Sequence, residues 1–108
     1  MLVLFDHSTP APLSSYLVGH TVIDARARGW DRLSNGDLLV EAERAGFEAL
    51  VTADKNMRYQ QNLKGRKIAL VVLGTPRWPT LRMHVDLVAA AVNAATPGTY
   101  TEVEIPKN

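Results

Sequence analysis

An α/β fold is predicted for this chain: a three-layer α/β/α sandwich around a mainly parallel central sheet of four to five strands. Short apolar runs alternate with amphipathic stretches from end to end, the mark of repeated β-α units. One run, Ile68-Ala69-Leu70-Val71-Val72-Leu73, is unbroken, as strands covered on both faces are. Two others, Leu2-Val3-Leu4-Phe5 and Ala49-Leu50-Val51-Thr52, run into aspartates, Asp6 directly and Asp54 one residue later. If these are neighbouring parallel strands, both carboxylates meet at the sheet edge where open α/β folds place their ligands.

The first strand is followed by Ser8-Thr9-Pro10-Ala11-Pro12, hydroxyl caps and early prolines that suit a helix start, so a helix is expected over Leu13 to Val18, stopped by Gly19. His20 to Ile23 reads as a short second strand, and Asp24 to Gly29 as a helical turn closed by Gly29-Trp30. Ser34 or Asn35 then caps a stronger helix in which Asp37 favours the positive end, Leu38, Leu39, Ala42 and Ala45 form the buried stripe, and Gly46 ends it. Phe47 to Thr52 is the third strand and Ile68 to Leu73 the deepest. A last helix is expected from about Thr80 to Ala95, with Leu81, Val85, Val88 and Val92 on one face, ending at Pro97-Gly98 before an edge strand from Tyr100 to Ile105.

At 108 residues and 46% hydrophobic content the sequence has the size of a single domain over residues 1–108 with one real core. It contains no cysteine, which removes disulfides, thiolate metal sites and cysteine nucleophiles, and is compatible with a reducing cytoplasm. Acid interrupts the first apolar run after Phe5 and no basic leader precedes it, so this start is expected to be a strand, neither signal peptide nor membrane span, in a cytoplasmic protein. A net charge of +1 is too balanced for the overall field to draw nucleic acid. Locally, Lys55, Arg58, Lys64, Arg66 and Lys67 cluster just after the second aspartate, where they suit a phosphate backbone or a solvated helix face.

Paired strand-end acids suggest a hard divalent ion, Mg2+ or Mn2+, because such ions are held by one or two carboxylates together with waters and substrate phosphates. Asp6 and Asp54 are the candidate ligands and Asp37 the candidate assistant, although a first-turn acid also serves the helix dipole alone. His7 is a lesser candidate as ligand or base, and His20 and His84 lack ligand spacing. No glycine spacing for a phosphate loop, nucleophile elbow or dinucleotide fingerprint is present, which argues against kinase, serine hydrolase and Rossmann chemistry. A phosphoacceptor domain of the response-regulator kind also gathers strand-end aspartates, but the β-α units look too few for one. The stretch Asp54-Lys55-Asn56-Met57-Arg58-Tyr59-Gln60 is rich in amides and cations. Lys55, Asn56, Arg58 and Gln60 can bond phosphate, ribose or base edges, and Tyr59 can stack on a base.

Taken in order, the first-strand Asp6, Gly29-Trp30, the helix from Asn35 with Ala42 and Gly46, and Val51-Thr52-Ala53-Asp54 resemble the PIN-like domains grouped with ribonucleases and with toxins of toxin-antitoxin pairs. The resemblance covers nearly the whole chain, and the stretch Arg58 to Leu63 with Trp78-Pro79 is similar to one subgroup of those proteins. It implies metal-dependent endoribonuclease activity, with acids holding Mg2+ or Mn2+ that generates a hydroxide and neutralises charge on the phosphorane. It also implies an RNA substrate and, for some relatives, an antitoxin protein partner. Asp6 and Asp54 fall on family acids, while Asn35 stands at the third acid's place and His7-Ser8 where many relatives have an acid and an amide. Asp37 lies two residues, about 200°, further round the helix. Two expectations follow: a ribonuclease using Asp6, Asp54, Asp37 and Asn35, or a catalytically degenerate module that binds RNA or a protein. A homodimer through the last strand is conceivable, with Pro106 and Lys107 as edge protection.

Overall fold

The computed structural model describes residues 1–57, 63 and 65–106. Five strands, β1 (Leu2–Phe5), β2 (Thr21–Asp24), β3 (Ala49–Thr52), β4 (Ala69–Leu73) and β5 (Tyr100–Val103), form one sheet in the order β2-β1-β3-β4-β5. Every pairing is parallel, so all carboxyl ends lie at one edge. Phe5 pairs with Asp24 on one side and Val51 on the other, which aligns the ends of the first three strands.

Alternation along the strands divides the core. Val3, Phe5, Val51, Val71 and Leu73 pack on one face with Leu13, Leu17, Leu81, Val88 and Val92. Leu4, Leu50, Leu70 and Val72 pack on the other with Leu38, Leu39 and Ala42 of helix α1 (Asn35–Arg44). Helices thus cover both sides of a parallel sheet, as the apolar runs of β3 and β4 require.

Ser34 caps α1, its hydroxyl accepting from the Asp37 amide at 3.2 Å, and Gly46 leaves the helix at φ 91°, a left-handed conformation that costs glycine little. The segment expected as a helix over Leu13 to Val18 is a 3-10 helix at Ala11–Tyr16. Its turns close by i to i+3 bonds, from the Leu13 amide to the Pro10 carbonyl at 3.1 Å and from the Leu17 amide to the Ser14 carbonyl at 3.2 Å, and the Ser14 hydroxyl turns back onto the Ala11 carbonyl at 2.9 Å. The expected last helix divides into α2 (Trp78–Leu81), a 3-10 turn at Arg82–His84 and α3 (Val85–Ala94). The break falls at His84, whose φ of −132° and ψ of 30° are not helical. Strand β2 runs one residue later than expected, because the His20 ring bonds the Met1 amino group and Asn93 while Asp24 joins the ladder opposite Phe5.

The strand order is one that doubly wound sheets use, so the number of β-α units does not exclude a phosphoacceptor domain as expected above. The connections depart from that plan at the end. The β1-β2 and β4-β5 connections lie on the same face yet step in opposite directions across the sheet, so they have opposite hands and one breaks the right-handed rule. As α3 lies on the first face, the side chains of Tyr100 and Glu102 on the other are exposed. No helix among the described residues is long and apolar enough to cross a membrane.

Candidate functional site at the carboxyl edge

The order β2-β1-β3 makes the gap between β1 and β3 the switch point of the sheet: the chain leaves β1 toward one side and returns from β2 to the other. Crevices at such points receive ligands in open α/β sheets. Asp6 follows β1 and Asp54 follows β3, so both expected carboxylates stand there.

They are not equivalent. Asp6 is only 2% exposed. Its Oδ1 accepts from the Ser8 amide at 3.1 Å, the Ser8 hydroxyl at 2.7 Å and the Thr9 hydroxyl at 2.9 Å, while Oδ2 accepts from the Thr52 hydroxyl. An ionised carboxylate has about four lone-pair sites, and of the four donors on this one three crowd Oδ1 and one meets Oδ2, leaving one direction of Oδ2 open. The Thr9 proton is shared with the Val51 carbonyl at 2.8 Å. The hydroxyls are themselves fixed: Ser8 Oγ accepts from the Ala53 amide at 2.9 Å and Thr52 Oγ1 from the Asp54 amide at 3.0 Å. The network therefore ties the end of β1 to the end of β3, and Thr52, fully buried, joins Asp6 to the backbone of Asp54.

Asp54 is partly exposed. Its Oδ1 accepts from the Asn56 amide at 2.9 Å, closing a local turn, and Oδ2 from the Asn35 side-chain amide at 3.2 Å. Asn35 is thus brought to the site, where it occupies an oxygen of Asp54. Asp37 is exposed, and no hydrogen bond or ion pair joins it to Asp6 or Asp54. His7 is exposed beside Asp6, and Lys55 and Asn56 are exposed beside Asp54. Arg58, Tyr59 and Gln60 lie outside the described residues, as does Lys64 of the basic cluster, whereas Arg66 pairs with Glu43 at 3.7 Å.

Toward a divalent ion the two carboxylates differ, Asp6 offering little and Asp54 more. Asp6 has a single lone-pair direction left, on a buried oxygen, and among the described residues no three His, Asp or Glu side chains lie together as metal ligands. The edge does provide a cleft of about 180 Å³ over the ends of β4 and β5, with Lys55, Glu102 and Glu104 at its rim and Val72 and Gly74 in its wall. A Cβ at residue 74 would come to 3.1 Å from the Val103 carbonyl and the Ile105 amide, so any larger residue there needs that backbone to give by a few tenths of an ångström.

No known protein family, curated protein or solved structure was found to match the chain. The hydroxyl triad Ser8, Thr9 and Thr52 was not picked out from the sequence, although hydroxyl residues flanking each strand-end acid are its trace.

Proposed function

We propose that this chain is a PIN-like module that binds RNA at the carboxyl edge of its sheet, with an acid pair that shapes the crevice instead of holding a catalytic metal. The observation that carries this proposal is the Asp6 carboxylate, buried under four hydrogen-bond donors. Three solvent-facing groups of this edge can bind a phosphodiester: the Lys55 ammonium, which makes no ion pair among the described residues and shares its cleft with the Glu102 and Glu104 carboxylates, the Asn56 amide and the His7 ring. Ribose hydroxyls, which donate and accept, suit the amides of this rim.

Asp54 favours a second function, metal-dependent endoribonuclease, with the toxin role that the family resemblance implies, because its carboxylate is partly exposed. One assay separates the two. Fluorescence anisotropy with a labelled single-stranded RNA, in Mn2+ or in EDTA, is expected to give the same saturable binding and intact RNA in both. Lys55→Glu is expected to weaken binding by about tenfold, equivalent to roughly 1.4 kcal/mol. Mn2+-dependent cleavage that disappears in Asp54→Asn would establish the ribonuclease instead. Absence of any RNA binding would reject both functions and leave a protein partner.

A further inference from the structure

The two outer strands of the sheet are guarded differently. Strand β5 carries Glu102, and Glu104 and Pro106 follow it, the charges and proline that blunt an edge against pairing. Strand β2 has no such guard before its last residue: Thr21-Val22-Ile23 is uncharged, free of proline and in unbroken register with β1. All three residues are β-branched, which favours an extended backbone. Thr21 is exposed, and Val22 and Ile23 keep part of their apolar surface in solvent, whereas the apolar residues of β3 and β4 are buried.

The backbone of this edge is open. The Thr21 amide donates to the Met1 carbonyl, and successive residues of a strand turn their backbone groups to opposite sides, so the His20 carbonyl, the Val22 amide and carbonyl and the Asp24 amide face away from β1. No strand pairs with β2 on that side, and no hydrogen bond reaches those groups among the described residues. On the first face of the sheet, Val22 borders a cleft of about 120 Å³ together with Phe5, Ala11, Ser14 and Asp24.

We infer that this edge pairs with the same edge of a second copy of the chain, antiparallel, about a two-fold axis at Val22. The hydrogen-bonding pattern is self-complementary in that register. Val22 of each copy donates to and accepts from Val22 of the other, and the Asp24 amide of each reaches the His20 carbonyl of the other. Thr21 then lies opposite Ile23 on the second face, a β-branched pair, and on the first face Asp24 lies opposite His20, so that no like charges meet. Paired strands run in opposite directions, so the two carboxyl edges point away from each other and each crevice keeps its own opening. A pairing this short buries less than a standard interface, and a dissociation constant of about 10–100 µM is expected.

The test is sedimentation velocity over a concentration series spanning that range, with cysteine crosslinking to fix the edge. Thr21→Lys alters an exposed side chain and leaves the β1 ladder intact; it is expected to raise the dissociation constant about tenfold or more at an unchanged melting temperature, because symmetry brings two ammonium groups into the interface. Val22→Cys gives the chain its sole cysteine, and the Cα atoms of bonded antiparallel partners lie about 5.5 Å apart, within disulfide reach. Mild oxidation is expected to convert this variant to a covalent dimer and to leave Glu102→Cys, on the β5 edge, largely monomeric. A wild-type protein that sediments as a monomer throughout, a dimer indifferent to Thr21→Lys, or a dimer trapped by Glu102→Cys and not by Val22→Cys would overturn the inference.

Discussion

Asp6→Ala is expected to destabilise the protein by about 3–5 kcal/mol, because it removes one acceptor from several donors at once and leaves hydroxyls without a partner in a buried site. Ser8 and Thr52 lose their common anchor, and with it the connection between the ends of β1 and β3. For a domain of this size the loss lowers the melting temperature by about 12 °C or more. Asp6→Asn keeps the shape and one acceptor oxygen, so a smaller fall is expected. Thermal unfolding in EDTA checks the order of the three proteins. The opposite outcome is equally informative: carboxylates crowded together to hold a cation repel one another without it, and neutralising one then stabilises the fold. A rise in melting temperature for Asp6→Asn would mark Asp6 as a ligand.

Leu50→Ala is expected to cost a similar amount, about 3–5 kcal/mol. Leu50 is fully buried at the middle of β3, the central strand of five, where it packs in one cluster with Leu4, Leu70 and Leu39. The sheet is covered on both faces, so neighbouring side chains cannot readily collapse into the space. Since small domains are stable by only about 5–15 kcal/mol, the variant is expected near its unfolding threshold at 37 °C. Urea denaturation checks this, with a shifted midpoint and an unchanged slope. A loss below about 1 kcal/mol would mean that the site relaxes and that the two-faced core is looser than described.

The architecture was legible where one physical signal dominates. The unbroken run of β4 required cover on both faces, and Ser34 with Gly46 bracketed α1 as cap and left-handed stop. Legibility failed where local effects compete: the first expected helix winds as a 3-10 helix, and the backbone at His84 split the last one. The hand of the final connection depends on which face α3 chooses, and that is a property of the assembled core. At the site, strand-end positions were enough to bring Asp6 and Asp54 to one edge. Their surroundings were not readable in the same way, because the Thr52 hydroxyl reaches Asp6 from 46 residues away and only the folded sheet aligns them.

The most direct measurement is a calorimetric titration of Mn2+ into the purified protein without RNA. If the Asp6 carboxylate is a structural hub closed by Ser8, Thr9 and Thr52, no saturable binding is expected, and Asp54→Asn behaves as the wild type does. A stoichiometric Mn2+ site that vanishes in both Asp6→Asn and Asp54→Asn would contradict that role and make the crevice a metal centre.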